Sequence, residues 1–207
     1  MNSLSTVASQ GHTETPLKRL HQILSYVGFN SHLIPQGEEN HFDALLVALD
    51  EDQEPDQEEF STIAQIFFSE DLLRSEALPD IQEELENSVT LQFLVHSSLD
   101  AANLNAERLL GLYQFLTRCN RIMPIGHFDL DPEQKIFFHY GLKAENRNIP
   151  AALIIDSLEN FGFFINRMAP LIQDFIQSER SLEDLSTQLE EDLSHAIQQY
   201  LPRAEEA

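Results

Sequence analysis

A chain of 207 residues, 42% of them hydrophobic, is long enough for one domain with a substantial core, and 14 Phe with no Trp put the packing on Phe and Leu. With 35 Asp and Glu against 12 Lys and Arg the formal charge is −23, which repels phosphate backbones and anionic lipid and argues against general nucleic-acid or membrane binding. A single cysteine, Cys119, cannot form an internal disulfide, and no run approaches the ~18 consecutive apolar residues of a membrane span.

Residues 1–14 are polar and rich in Ser and Thr, so a disordered N-terminal tail is expected. The opening Met1-Asn2-Ser3-Leu4-Ser5 has no basic region followed by an apolar run, so no secretory signal is expected and the expected compartment is cytoplasmic. Thr15-Pro16 supplies an N-cap and a first-turn proline for a helix over about 16–27, with Leu17, Leu20, Leu24 and Val27 on one face and Gly28 as its stop. Phe29 to Ile34 reads as a short strand ended by Pro35-Gln36-Gly37, and the apolar run Ala44 to Leu49 as another. An acidic loop follows from Asp50 to Glu59.

Residues 60–68 fit either a helix, through Phe60, Ile63 and Phe67, or a strand, through Ile66-Phe67-Phe68 beside Thr62. The strand is preferred because it can return antiparallel to 44–49 across the acidic loop. A short helix is expected from Pro79 to Glu86, and then Val89, Leu91, Phe93 and Val95 alternate in a half-buried strand pattern. Asn105 caps a helix to about Cys119 whose inner stripe is expected to be Leu109, Leu112, Tyr113 and Leu116; Cys119 there reads as a buried structural thiol.

Ile125, Phe128 and Leu130 lead into Asp131-Pro132-Glu133-Gln134, and Lys135 to Tyr140 lead out, a hairpin with type I turn chemistry. Pro150 opens a long helix with Ile154, Leu158, Phe161, Ile165, Met168, Ile172 and Phe175 spaced 4, 3, 4, 3, 4, 3, a heptad-like seam that Pro170 should kink or break. Ser181 and Asp184 resemble a capping box for a last helix with Leu182, Leu185, Leu189, Leu193 and Ile197 inward, ended at Pro202. Charge is polarised along the chain: Glu38 to Glu86 holds seventeen acids and one base, whereas Asn105 to Pro150 holds five acids and six bases.

The stretch from Val89 to Gln177 resembles the YbjN-like family, whose fold is similar to that of type III secretion chaperones. The residues that carry the resemblance are the strand Leu91-Gln92-Phe93-Leu94-Val95, a helix with Leu109-Leu110 and Asn120 near its end, Pro124-Ile125-Gly126, Phe128-Asp129-Leu130-Asp131, a return strand and a long apolar helix. The resemblance implies an α+β domain, a twisted antiparallel sheet backed by helices, over residues 15–178, with residues 179–207 as an added acidic helix and tail. It implies no established chemistry, and its chaperone relatives are small, acidic, usually dimeric holders of extended partner segments. The chain departs from that pattern by an acidic insertion at about 70–88, the C-terminal helix and an extra strand near the front.

The search for chemistry is sparse in returns. His127 and Asp129 lie two apart on one strand, His139 is expected across from Gly126 beside His127, and His96 ends another strand, so a metal-assisted enzyme on His127, Asp129 and His139 is one reading and scattered polar residues the other. Asp50-Glu51-Asp52 could catch a calcium ion weakly but lacks the glycine and spacing of an EF-hand loop. Seven single glycines make no phosphate loop, no Gly-x-Ser-x-Gly elbow is present, and Glu83-Glu84 and Glu190-Glu191 read as solvated faces. The expectation is therefore a non-catalytic protein-binding module, chaperone- or adaptor-like, with no cofactor and no metal, using an apolar surface with an acidic rim. Its expected partners are other proteins, basic ones favoured by the charge, or a second copy through the seam. The expected partner-binding residues are Phe128, Phe138 and Tyr140 of the hairpin and Phe161, Ile165 and Met168 of the long helix. A third reading is an acidic decoy that mimics nucleic acid, from the carboxylates of 38–86.

Overall fold

The structure, a computed structural model, describes residues 15–37, 40–49, 62–76 and 89–200. The expected tail 1–14, acidic loop 50–59, Asp50-Glu51-Asp52 triplet, helix from Pro79 to Glu86 and stop at Pro202 lie outside the described residues.

Helix α1 (Pro16–Tyr26) begins where Thr15 Oγ1 accepts the Lys18 N–H. It ends in a Schellman arrangement, with the Gly28 N–H on the Ser25 carbonyl and the Phe29 N–H on the Leu24 carbonyl, which requires the left-handed φ of +103° at Gly28. Three strands follow, β1 (Ser31–Ile34), β2 (Ala44–Ala48) and β3 (Ile63–Phe68), then helix α2 (Ser69–Glu76) and the long strand β4 (Val89–Asp100). Helix α3 (Ala106–Ile122), the hairpin β5 (His127–Leu130) and β6 (Lys135–Ala144), and helices α4 (Ala151–Gln177) and α5 (Leu182–Tyr200) follow among the described residues. The six strands form one sheet in the order β1-β2-β3-β4-β6-β5, every pairing antiparallel, so the protein is α+β with a helix-backed antiparallel sheet and a C-terminal helix.

The ambiguous segment is a strand because both its edges are claimed: Ile66 pairs with Leu45 on one side and Phe93 on the other. The first part of the stretch from about 70 to 88, read as an acidic insertion, is helical over Ser69–Glu76. Buried Glu70 accepts the Thr90 N–H at 2.7 Å, prolonging the β4 ladder where β3 has already turned into α2, and Asp71 holds Arg147 through two bonds of 2.8 and 2.5 Å.

One contiguous core lies on one face of the sheet. Leu45 and Val47 of β2, Ala64, Ile66 and Phe68 of β3, Leu91, Phe93 and Val95 of β4, Phe128 of β5 and Ile136 and Phe138 of β6 point into it, as period-two alternation requires. Helices α1, α3, α4 and α5 supply the other wall; α5 adds Leu185, Leu189 and Leu193 to the same core, packing as a layer of the domain begun at residue 15. Its start follows the capping pattern, with Ser181 Oγ accepting the Asp184 N–H at 3.1 Å and donating to the Asp184 carboxylate at 2.8 Å. In α3 the inner stripe is Leu112, Phe115, Leu116 and Cys119; Tyr113 is 47% exposed, because a heptad-like step past Leu112 carries Phe115 inward and Tyr113 out. Cys119 is fully buried, and burial pushes its thiol up to about 12, out of reach of nucleophilic chemistry near neutrality.

Of the kink or break expected at Pro170, the break does not occur: helix α4 runs on through it. Pro170 and Asn166, whose carbonyl loses its partner, both lie on the exposed side where water can satisfy it, while Leu171, Ile172 and Phe175 hold the following turns to the core. The C-terminus of α4 is clamped from α3. The Arg108 guanidinium donates to the carbonyls of Phe175, Ser178 (2.7 Å) and Arg180 (3.1 Å) and stacks 4.0 Å from the centre of the Phe175 ring.

The hairpin turn differs by one residue from the expected register. Asp131 accepts the Gln134 N–H at 2.9 Å and donates to Lys135, and Gln134 takes φ +65°, so three residues rather than four form the loop and His139 faces His127, not Gly126. Gln134 also leaves its side-chain Oε1 buried without a partner among the described residues. Gln134→Gly removes both burdens and is expected to stabilise by about 0.5–1 kcal/mol, raising Tm by roughly 1–4 °C in differential scanning calorimetry. A lower Tm would show that the glutamine's packing outweighs its backbone strain.

Among the described residues no helix is long and apolar enough to cross a membrane.

Candidate functional site: the sheet face opposite the core

The six residues expected to meet a partner are placed mostly inside the protein. Phe128, Phe138, Phe161, Ile165 and Met168 are buried in the core, and Tyr140 is half-buried against it. Phe161 lies at its centre, with the rings of Phe138, Phe93 and Tyr140 at 4.9, 5.3 and 5.7 Å. The heptad-like seam is thus the surface by which α4 covers the sheet, which leaves these side chains unexposed to a partner.

What the alternation leaves outward is a second, separate surface. Strand register aligns one row across the whole sheet: His32, Leu46, Gln65, Leu94, His139 and His127. The adjacent row is Ala48, Ile63, His96, Phe137 and Asp129. On the other side Phe67 pairs with Gln92, and Phe42 packs its ring 5.2 Å from that of Phe67. Leu46, Ile63, Phe67, Leu94 and Phe137 neither belong to the core nor pack against it. Ile63 is 38% exposed and the other four are half-buried. Large apolar groups on a sheet face away from the core are the informative kind of exposure, since an outward face normally alternates to polar residues.

The sheet edges are less open than its face. At the β5 edge the Asn120 side chain of α3 acts as a substitute strand: its Oδ1 accepts the Phe128 N–H at 2.7 Å and its Nδ2 donates to the Phe128 carbonyl at 2.9 Å. The opposite edge, β1, is four residues long and is followed by Pro35.

The polar residues of the face form a short chain. Gln92 Nε2 donates to Ser69 Oγ at 2.7 Å, and Gln92 Oε1 lies 2.6 Å from His139 Nε2. The His139 and His127 rings meet edge to face at 5.5 Å. Burial and then the neighbouring His127 lower the His139 pKa below the usual imidazole value of 6.5, with Asp129 acting weakly in the opposite direction. His139, expected beside His127 and across from Gly126, stands directly across from His127, and no three His, Cys, Asp or Glu side chains among the described residues are grouped to hold a metal ion.

Because the unfolded chain takes up this proton more readily than the folded one, His139 contributes stability that is full above pH 6.5 and declines as pH falls through that value toward the lowered one. Tm is expected to fall on acidification through that window, and His139→Gln should flatten the fall. An unchanged slope in the variant would assign the decline to other groups.

The sequence singled out His96, His127 and His139 but not His32 or the surface all four share, since four of the six described strands contribute one each and only register brings them to a face. Period-two alternation was the available signal: Leu46, Phe67, Leu94 and Phe137 are apolar residues at the outward phase of their strands. Comparison with known proteins adds no identity to this geometry: no protein-family model matches the chain, and neither curated proteins nor solved structures match it.

Proposed function

We propose that this chain is a non-catalytic protein-binding module, chaperone- or adaptor-like, and that it engages its partner through the face of the sheet opposite α1, α3, α4 and α5. The observation that carries this reading is the apolar strip of Leu46, Ile63, Phe67, Leu94 and Phe137, set apart from the core on the side of the sheet opposite α1, α3, α4 and α5. The resemblance to the YbjN-like and type III chaperone folds points in the same direction. Burial of such a strip would contribute about 25 cal/mol per Å² of apolar area, enough to hold a partner without any buried ion pair. The closed β5 edge favours binding on the face over strand addition at that edge.

The test is a paired capture from native lysate of the source cells. Leu94→Ser with Phe137→Ser removes apolar surface without altering charge, and Leu110→Ser removes an exposed leucine (60%) from α3. Partners lost with the first variant and kept with the second support the face. Equal recovery with both, at unchanged Tm, would sink it.

A further inference from the structure

We propose that His127 and His139, facing each other across β5 and β6, form a two-nitrogen site for a divalent metal ion of the zinc or copper(II) kind, and that Gln92 orients it. The site lies on the same face as the apolar strip, and the inference stands whether or not that strip docks a partner.

Antiparallel register sets His127 directly opposite His139, and both side chains project from the face away from the core. The two rings meet edge to face with their centres 5.5 Å apart. Two imidazoles that share one metal ion, each nitrogen about 2.1 Å from it, place their ring centres roughly 4.6–5.3 Å apart, so a small side-chain rotation closes this pair on an ion. His127 is exposed and has the freedom to make that rotation.

His139 is held in the tautomer such a site needs. Its Nε2 lies 2.6 Å from Gln92 Oε1, a carbonyl oxygen that can only accept, so the ring proton sits on Nε2. The Gln92 amide is fixed in turn by Ser69, whose Oγ accepts from Gln92 Nε2 at 2.7 Å. The lone pair of the neutral ring is then on Nδ1, an atom that no hydrogen bond engages among the described residues. A far N–H donated to a fixed carbonyl, with the other nitrogen open, is how proteins orient a metal-ligating imidazole. Burial, and then His127, lowers the His139 pKa and keeps the ring in that neutral form. Asp129, two residues from His127 on the same strand, has Oδ1 occupied by the Leu130 N–H at 2.8 Å and supplies a negative charge that reaches His139. No third ligand is grouped with the two nitrogens among the described residues, so water completes the coordination. Imidazole donors select zinc, copper and nickel over magnesium and calcium, which take oxygen.

The experiment is isothermal titration of the full chain with zinc chloride and, separately, magnesium chloride, with Tm recorded by scanning calorimetry in the presence of each. Zinc at about 0.2 mM is expected to bind and to raise Tm by at least about 3 °C, and magnesium to do neither. His127→Ala, a change at an exposed position, should remove both the zinc heat and the Tm shift, and so should His139→Ala. His32→Gln, on β1 at the opposite edge of the sheet, should keep both. Gln92→Leu should weaken zinc about tenfold, and Gln92→Glu, which restores an acceptor for the Nε2 proton, should recover it.

Zinc that fails to bind, or that binds His127→Ala and His139→Ala as well as the parent chain, overturns the site. Equal loss in His32→Gln would spread the ion over the histidines of the face and remove the pair as its holder. Magnesium acting as zinc does would assign the cation to carboxylates. Undiminished zinc affinity in Gln92→Leu would overturn the orienting role of Gln92. None of these readouts depends on the capture of a protein partner, so failure here and failure of the docking face are told apart.

Discussion

Phe161→Ala is expected to cost about 3–5 kcal/mol of stability, the largest loss of any single substitution considered for this protein. Phe161 is fully buried where α4 crosses the sheet, and its ring meets Phe93 of β4 and Phe138 and Tyr140 of β6 at once. Removing it deletes three aromatic contacts and opens a cavity bounded by rigid strands that cannot collapse inward. Against a total of roughly 5–15 kcal/mol for a domain, such a loss brings the chain close to its unfolding threshold. Urea denaturation should show the midpoint falling at an unchanged slope, whereas Phe161→Leu, which keeps most of the volume, should lose less than about 1.5 kcal/mol. A stable Phe161→Ala protein with weakened partner binding would instead return Phe161 to the binding role that the spacing of α4 suggested.

Arg108→Ala is expected to cost about 2–3 kcal/mol, the scale of hydrogen bonds made by a charged donor. The guanidinium satisfies the carbonyls of Phe175, Ser178 and Arg180, which lie at or beyond the end of α4 and have no helical partner there. It also covers the Phe175 ring and opposes the negative end of the helix dipole. Arg108→Lys should recover only part of the loss, because an ammonium cannot present a planar fork to several acceptors. Hydrogen exchange would locate the effect: amides of the last turn of α4 and the first turn of α5 should lose protection first. Uniform loss across the sheet would mean that the contact supports the whole core instead of this junction.

Local rules sufficed for much of the chain. Thr15-Pro16 and Gly28 bounded α1 because a cap, a fixed φ and a left-handed residue act within one turn and need no distant partner. Alternation located β4, and the seam located the buried side of α4, because burial on one side imposes a period wherever an element is long. Failures arose where the deciding contact is remote in sequence. Helix α2, in a stretch whose order the sequence left open, is anchored through Asp71 to Arg147, 76 residues away, and through Glu70 to Thr90. Tyr113 and Phe115 of α3 were exchanged because the orientation of that helix is set by Phe175 stacking on Phe115 from α4. The hairpin register slipped by one because Gln134 adopts a left-handed φ that its residue type does not announce.

The candidate site was legible only in fragments. His127, Asp129 and His139 could be singled out, and the acidic composition pointed to partners of opposite charge. The amino-acid order alone determined the helix caps, the strand periods, the α+β class and the electrostatic character of the chain, because each depends on residue type and short-range spacing. Tertiary structure decided which apolar residues are core and which remain outside, since that depends on the face of the sheet the helices cover. It gave Phe128, Phe138 and Phe161 to the interior and left Leu94 and Phe137 on the opposite side, a division that no local period can assign.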